Sequence, residues 1–225
     1  MRIIGLIPVR GGSKGIPRKN LQNINGIPLV AHKIMQAKKS LCNEVWVSTE
    51  DEEIKKVAVK FGASLINRPM DLATDEASTD SVLNHAVKIL KVSKEDILVL
   101  LQATSPLIKL ESINNCINKL INDASLGCVM TLREAHPFMW VTKDSLTWEP
   151  SGHERQVRKR RQELDISGWE TGGCYAIKIG HFQEKNIRYP EPTGAVSVSY
   201  LESLDVDTID ELETASQILK IYDKF

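Results

Sequence analysis

The sequence lacks an excess of charge, is poor in aromatic residues and contains no long uncharged apolar run. Its 225 residues include 29 Lys and Arg against 29 Asp and Glu, so the formal net charge is zero. This balance excludes a general nucleic-acid coat protein and an acidic tail, because both need a strong excess of one sign. The aromatic content of 5% argues against an aromatic-lined single-strand binder or a carbohydrate-stacking module. Because no stretch approaches ~18 uncharged apolar residues, we expect no membrane-spanning helix.

Signals for export and for a zinc site are also missing. The apolar N-terminal run stops at Pro8 and no small-residue cleavage site follows, so we predict no secretion signal. The four cysteines form no CxxC pair and have no His at zinc-ligand spacing: Cys42, Cys116, Cys128 and Cys174. They are typical of small buried side chains in a reducing cytoplasm, where we place the protein.

What is present is the composition of an ordinary soluble domain, with 42% hydrophobic and 26% charged residues. Apolar runs predict strands at 3–9, 45–48, 63–66, 96–101 and 128–132, and apolar stripes predict helices at 28–40, 54–61, 82–90 and 110–121. Alternation returns at 173–179 and 196–201. A last helix begins near Thr208, which has capping-box spacing to Glu211.

Strands that alternate with helices predict one α/β domain over residues 1–225, with a mostly parallel, Rossmann-like sheet. Such sheets bind ligands at the carboxyl ends of their strands. The loops that follow residues 9, 48, 66 and 101 are therefore the candidate site.

Residues 133–170 interrupt the alternation. They contain Trp140, Trp148 and Trp169 together with a dense basic run. We interpret the segment as an inserted arm that forms a dimer, because large aromatics on irregular segments often mark a partner surface. A subdomain that covers its own core fits the same residues.

The loop after the first strand combines three glycines with several cations and has no carboxylate. It reads Arg10-Gly11-Gly12-Ser13-Lys14-Gly15-Ile16-Pro17-Arg18-Lys19-Asn20. Glycines let backbone amides approach a ligand and permit an anion-binding nest, so we predict polyphosphate binding rather than a plain connector. The glycine spacing matches neither a Walker A loop nor a dinucleotide fingerprint.

Polar residues also follow the strand at 96–101. Gln102, Thr104 and Ser105 place donors and acceptors at the carboxyl end of that strand, and Pro106 stiffens the turn. These residues form either a ligand contact or an ordinary strand-to-helix loop.

Asp205 and Asp207 precede the last helix. Alternate residues of an extended segment point to one side, so both carboxylates can face one site, and beside a polyphosphate loop they suggest Mg²⁺. Asp207 also suits a helix cap.

A basic run at 155–162 places five cations in seven residues. It could contact nucleic acid, phosphate or a carboxylate substrate, but a solvated or partner-facing arm is the commoner outcome. Since nothing else in the chain supports nucleic-acid binding, we predict none.

Several short motifs, in order along nearly the whole chain, resemble the acylneuraminate cytidylyltransferase (CMP-sialic acid synthetase) family. They are residues 10–20, Val47-Ser48-Thr49-Glu50, Arg68-Pro69 with Leu72-Ala73-Thr74-Asp75, residues 102–107, Arg161-Gln162-Glu163 and residues 204–208. The resemblance implies a nucleotidyltransferase-type α/β fold and a homodimer. It also implies a Mg²⁺-dependent reaction of CTP with a nine-carbon 2-keto sugar acid, such as sialic acid or a relative, that gives CMP-sugar and pyrophosphate.

The resemblance also implies roles for individual residues. The nucleotide-binding set is Arg10, Gly11, Gly12, Ser13, Lys14, Lys19, Asn20, Arg68 and Thr79. The sugar-binding set is Gln102, Thr104, Ser105, Arg161 and Tyr175. Asp205 and Asp207 match the metal ligands, and Lys19, Arg10 and Asp207 are the implied catalytic groups, acting by positioning and charge stabilisation.

Two departures from the family pattern concern the sugar. Thr171-Gly172-Gly173 stands where the family often has Asn-Gly-Ala or Asn-Gly-Ser, and Ile187-Arg188-Tyr189 lies near a stretch that carries two phenylalanines in sialic-acid members. Alternative substrates are therefore legionaminate, pseudaminate or 3-deoxy-octulosonate-type acids. Alternative classes are a glycosyltransferase with Asp205-Val206-Asp207 as its metal motif, or a nucleotide- or nucleic-acid-binding module.

Overall fold

The computed structural model describes residues 1–135, 138–152, 160–163 and 166–222. Its strands are β1 (Ile3–Pro8), β2 (Asn23–Ile24), β3 (Ile27–Pro28), β4 (Glu44–Thr49), β5 (Ser64–Asn67), β6 (Ile97–Leu101), β7 (Cys128–Ala135), β8 (Met139–Val141), β9 (Glu149–Ser151), β10 (Ser167–Lys178) and β11 (Thr193–Ser197). Its α-helices are α1 (Leu29–Lys39), α2 (Glu52–Lys60), α3 (Thr79–Leu90), α4 (Leu110–Asn122), α5 (Ile179–Lys185) and α6 (Ile209–Tyr222).

Seven strands form one sheet in the order β11-β7-β10-β6-β1-β4-β5. β1 pairs in parallel with β4 and β6, β4 with β5, and β7 with β11. β10 is antiparallel to both β6 and β7. The predicted mostly parallel α/β sheet is confirmed. β10 runs against β7 because the chain leaves β7 at its carboxyl end and β10 begins at that same end of the sheet.

Helices cover both faces of the sheet. Buried residues of α1, α2 and α4 pack on one face, and buried residues of α3 and α5 pack on the other. All five residues of the central strand β6 are buried, as expected for a strand covered on both faces. A third cluster joins α6 to the loop after β1, through Ile16, Leu29, Val206 and Ala215. This cluster fixes the segment 204–208 beside the glycine-rich loop.

The ends of two predicted elements differ from the structure. The first helix, predicted at 28–40, spans Leu29–Lys39, because Pro28 belongs to β3 and Ser40 has an extended backbone. The last strand is Thr193–Ser197 instead of 196–201. The chain turns away after Val198 because the Ser199 backbone N–H and hydroxyl both donate to the Glu202 carboxylate. The predicted capping box of α6 is present, since Thr208 Oγ1 accepts from Glu211 N and Glu211 Oε2 accepts from Thr208 N.

The predicted arm begins where β7 and β10 extend past the rest of the sheet. In this extension, Leu132–Ala135 of β7 pair with Ser167–Glu170 of β10. β8 and β9 form a separate antiparallel pair. Trp140, Trp148 and Trp169 are 44%, 53% and 41% exposed. A dimerisation role for this exposed aromatic surface stays a prediction. Among the described residues, no helix has the length and apolar character needed to cross a membrane.

Candidate active site

A cleft of about 310 Å³ opens where the loops after β1, β5 and β6 meet. Predicted site residues that line it are Arg10, Gly12, Ser13, Lys19, Asn20, Arg68, Thr79, Gln102 and Thr104. The α3 helix begins at the cleft, so Thr79 lies in its first turn. The structure therefore brings most of the predicted nucleotide-binding residues together with two of the predicted sugar-binding residues.

Other predicted residues lie beside the cleft rather than on its wall. Lys14 lines a smaller adjoining cavity of about 290 Å³ with Arg10 and Asp75. Gly11 lies in the chain between the lining residues Arg10 and Gly12. Ser105, Asp205 and Asp207 lie beside residues that line the cleft, as described below. The side chain of Arg161 and the basic residues 155–159 lie outside the described part of the chain.

Two of the three glycines of the loop, Gly11 and Gly15, allow close packing, and none of the three is needed for an unusual backbone conformation. A Cβ atom at Gly15 would lie 2.3 Å from the Asp207 carbonyl oxygen, and one at Gly11 would lie 2.4 Å from Asp51 Oδ2. Gly12 has open space around it, and none of the three has a left-handed φ. Glycine at position 15 therefore lets the loop approach the aspartate pair, whereas the residue that adopts a left-handed φ is Arg18.

Two polar side chains hold the loop over the end of the sheet. Asn20, which is 7% exposed, donates from Nδ2 to the Arg10 carbonyl over 3.0 Å, and Gly11 N donates to Glu50 Oε1 over 2.7 Å. Asn20 Oδ1 and Glu50 Oε2 are buried and have no hydrogen-bond partner among the described residues. The loop is thus preorganised around two acceptors that retain hydrogen-bonding capacity.

The cations of the loop are paired with acids from elsewhere in the chain. Asp75 accepts from Arg10 Nη2 at 2.6 Å and forms an ion pair with Lys14 Nζ at 2.9 Å. These contacts with Lys14 and Arg10 hold the pKa of Asp75 below its ordinary value. Asp75 belongs to a motif that carries the family resemblance, yet its role could not be predicted because Arg10 and Lys14 lie more than 60 residues away along the chain.

Arg68 is the buried cation of the cleft. It is 7% exposed, and its Nη2 donates to the Ser48 carbonyl over 2.6 Å. Burial lowers its pKa to about 10, an effect that the nearby Glu50 opposes. Arg68 therefore remains charged at neutral pH, at a point where water cannot fully screen it.

Lys19 connects the glycine-rich loop to the aspartate segment. Its Nζ donates to Asp207 Oδ1 and to the Val206 carbonyl, each over 2.8 Å, and its side chain is 12% exposed. Asp207 therefore contacts Lys19 through its side chain, whereas Thr208 rather than Asp207 caps α6. The metal-binding role of Asp207 stays a prediction. Burial raises the pKa of Asp205, whereas hydrogen bonding with Thr104 and the positive charge of Lys19 oppose the increase.

The aspartate pair fits a magnesium ion that is also held by substrate phosphates. Mg²⁺ takes oxygen ligands and is commonly bound through one or two carboxylates plus phosphate oxygens. Asp205 makes a long 3.4 Å contact with Ser105 Oγ, so its carboxylate retains ligand capacity. The described residues contain no group of three or more His, Cys, Asp or Glu side chains that could hold a metal alone.

Tyr175 lies deeper than a direct sugar contact requires. It is 1% exposed and packs in the core on the α3 side of the sheet. Its hydroxyl donates to Glu170, and the Arg188 guanidinium lies 5.6 Å from its ring centroid. Burial raises the pKa of Tyr175 and the bond to Glu170 adds to the increase, so the phenol stays neutral.

The fold is that of the nucleotidyltransferases. The structure titled CMP:2-keto-3-deoxy-manno-octonic acid synthetase complexed with CTP matches with a TM-score of 0.71, covering 99% of this chain and 100% of that chain at 20% identity. A 4-diphosphocytidyl-2C-methyl-D-erythritol synthase also matches with a TM-score of 0.71, covering 97% and 99% at 11% identity. At these sequence identities, the structural similarity is evidence for the fold alone.

Within this class the chain belongs to the cytidylyltransferase family, whose model matches residues 4–151. It is 42% identical over 223 residues to the CMP-N,N'-diacetyllegionaminic acid synthase of Legionella pneumophila, covering 92% of each chain. It is 28% identical over 228 residues to the pseudaminic acid cytidylyltransferase of Campylobacter jejuni, covering 98% of this chain and 97% of that one. N-acylneuraminate cytidylyltransferase A of Danio rerio is 33% identical over 181 residues, which cover 78% of this chain and 41% of the relative. The protein is thus a cytidylyltransferase, and the family suggested by its motifs is confirmed.

Proposed function

We propose that the protein transfers a cytidylyl group from CTP to a nine-carbon 2-keto sugar acid and releases pyrophosphate. The observation that carries the proposal is Lys19, which bridges the basic loop of the cleft and Asp207. The Legionella and Campylobacter relatives, whose names specify legionaminic and pseudaminic acids, support a sugar acid of this class. We propose an N,N'-diacetyllegionaminate-type acid as the first substrate to test, because the former relative is 42% identical along 92% of both chains.

The nucleotide would bind along the loop after β1. Arg10, Lys14 and Lys19 would contact the triphosphate, and the Gly11–Gly12–Ser13 backbone would follow it closely. Asn20, Arg68 and Thr79 would complete that side of the cleft, which Arg10, Lys19, Asn20, Arg68 and Thr79 already line. Cations in a poorly hydrated cleft stabilise phosphate charge more than the same groups would in water.

The sugar acid would bind on the side formed by the loop after β6. Gln102 and Thr104 line the cleft there, and Ser105 connects them to Asp205. Arg161 remains the proposed partner of the sugar carboxylate. Tyr175 would act through Glu170, because its ring is buried.

The proposed reaction is an in-line displacement at the α-phosphorus of CTP. The anomeric hydroxyl oxygen forms the new bond to the α-phosphorus, the bond between that phosphorus and the pyrophosphate oxygen breaks, and the hydroxyl proton passes to solvent water. Arg10 and Lys19 would stabilise the charge that develops on the leaving pyrophosphate, and Asp207 would turn from Lys19 towards the metal side.

Asp205 and Asp207 would hold the Mg²⁺ ion. When bound, the ion would supply Lewis-acid stabilisation of phosphate oxygens and acidify the attacking hydroxyl. Two residues of the chain keep these carboxylates near the cleft. Lys19 contacts Asp207, and Ser105 contacts Asp205.

We also propose that the protein is a cytoplasmic homodimer formed through the arm at 133–170. The exposed tryptophans of the arm support the dimer, and the four free cysteines support a reducing compartment.

The function is tested by incubating the protein with CTP, Mg²⁺ and a panel of sugar acids while pyrophosphate release is measured. The panel comprises N,N'-diacetyllegionaminic, pseudaminic, N-acetylneuraminic and 3-deoxy-octulosonic acids. Pyrophosphate release with a nine-carbon acid is expected. Release with the eight-carbon acid alone would replace the proposed substrate, and no release with any acid would contradict the proposed function.

The metal assignment has its own test. Asp207→Asn should lower turnover by about 100-fold or more, because it removes a negatively charged ligand of the metal ion that stabilises the transition state. The variant should still bind CTP in the absence of metal. Asp210→Asn, which changes an exposed acid three residues later, is the matched control. Near-normal kinetics of Asp207→Asn at saturating Mg²⁺ would remove Asp207 from the metal site.

A further inference from the structure

One lysine on the first helix is fully buried. Lys33 of α1 is 0% exposed and is among the largest side chains with no solvent contact. Its Nζ donates to the Ser105 carbonyl and to Gln36 Oε1, each over 2.8 Å. The ammonium group therefore reaches across to the loop after β6, 72 residues further along the chain.

Gln36 extends the same contact one helical turn later. Its Nε2 donates to the Pro106 carbonyl over 2.8 Å and to the Ile108 carbonyl over 3.0 Å. Together Lys33 and Gln36 bind three carbonyl groups of the segment 102–109. Among the residues that the structure describes, no other side chain of α1 forms a hydrogen bond to this segment, so Lys33 and Gln36 set the distance between the segment and the helix.

The opposite side of the same segment holds the aspartate pair. The Thr104 carbonyl accepts from Val206 N over 2.8 Å, and Ser105 Oγ contacts Asp205 Oδ1 at 3.4 Å. Ser105 is 1% exposed, so its hydroxyl has little freedom to move alone. The position of Asp205 thus depends on a segment whose Ser105 carbonyl is held by Lys33 on the side of α1.

A buried lysine is a costly way to fill this space. Burial lowers the pKa of Lys33 to about 7, and the nearby Cys174 and Asp205 oppose the decrease. A methionine of similar length would fill the volume without desolvating an amine. Both the ammonium and the neutral amine keep N–H donors, so the bond to Ser105 does not depend on the protonation state.

We infer that Lys33 is a positioning residue of the active site, which anchors the segment 102–109 so that Thr104 and Ser105 hold Asp205 beside Lys19. Lys33 does not line the cleft, so its effect on the reaction is exerted through this segment. The inference rests on the proposed function for its effect on turnover, but its effect on the loop is independent of that function.

The experiment compares Lys33→Met with the wild-type protein by hydrogen–deuterium exchange and by kinetics. Without the anchor, amides of 102–109 and 204–208 should exchange about tenfold faster, because local opening becomes easier. Turnover should fall by about 10- to 100-fold through misplacement of the reacting groups, while KM for CTP stays within about threefold. Ile34→Val, a buried substitution on the same helix, is the control for a general loss of stability.

Two exchange results would overturn the inference: equally fast exchange in Ile34→Val, or wild-type exchange in Lys33→Met. Unchanged turnover in a Lys33→Met protein whose segment 102–109 exchanges faster would overturn it as well. If Lys33→Met does not fold, Gln36→Leu removes the two bonds to Pro106 and Ile108 and the acceptor of Lys33 Nζ, and it should loosen the same two segments. Unchanged exchange in that variant would also overturn the inference. If the wild-type protein releases no pyrophosphate with any sugar acid, the proposed function fails, while the exchange data still decide whether Lys33 anchors the loop.

Discussion

Replacing Lys19 with methionine removes an ammonium group that lies between the glycine-rich loop and the aspartate pair. In the free protein this group donates to Asp207 Oδ1 and to the Val206 carbonyl, each over 2.8 Å. Lys19→Met keeps the length of the side chain and its apolar stem. The substitution therefore tests the charge and the donor, with little change in packing.

The size of the effect follows from the two places where Lys19 acts. Asp207 is 70% exposed, so the ion pair contributes at most about 1 kcal/mol to folding, and stability should change little. In the transition state, a charge-assisted hydrogen bond to the phosphates contributes about 1.5–3 kcal/mol. If that bond forms only there, its loss lowers kcat by roughly 10- to 150-fold.

The assay is steady-state pyrophosphate release at saturating CTP, sugar acid and Mg²⁺, with thermal unfolding measured in parallel. Lys119→Met serves as the control, because it also removes an ammonium that bonds a backbone carbonyl, that of Ala195 on the far strand β11. The control should retain wild-type turnover. A Lys19→Met protein with kcat within about threefold of the wild type would refute the argument that Lys19 stabilises the transition state.

Two further predictions concern stability and assembly. Although burial alone would raise the pKa of Asp96, bonds from the backbone N–H groups of Arg2 and Ser93 and from the Arg2 guanidinium lower it from 3.8 to about 2. Asp96→Asn should therefore lose up to about 2.5 kcal/mol of unfolding free energy at pH 7, and the difference should shrink as pH falls from about 4 to about 2 in urea titrations. A constant difference across that range would contradict the linkage. Trp169→Ser should raise the dimer dissociation constant by about 30-fold in sedimentation experiments, and a wild-type monomer would remove the proposed interface at 133–170.

Much of the sheet could be predicted because its strands are short apolar runs. β1, β4, β5, β6 and β7 follow directly from such runs, and turn residues separate them from the helices. The direction of β10 could not be predicted, because alternation along a strand is the same for parallel and antiparallel pairing. The strand predicted at 196–201 extended too far, since the sequence does not reveal that Glu202 binds the backbone of Ser199.

The candidate site was predictable where its residues follow a strand directly. Arg10 and Gln102 come just after β1 and β6, and parallel strands bring those ends to one edge of the sheet. Lys33 was not predictable, because within an amphipathic helix a lysine indicates an exposed face and its acceptor is 72 residues away. Asp75 was missed as a partner of Arg10 and Lys14 for the same reason.

The ion pairs around the loop have a consequence for how fast an anion reaches it. Four cations at the cleft, Arg10, Lys14, Lys19 and Arg68, lie beside four acids, Glu50, Asp75, Asp205 and Asp207, so the free cleft presents little uncompensated positive charge to the solvent. Long-range attraction, which needs such charge, therefore contributes little to the encounter. A triphosphate gains its contacts by exchanging places with these carboxylates at short range, so ionic strength should act on dissociation more than on association. The neutral total of 29 cations and 29 anions is thus reproduced locally, at the cleft itself.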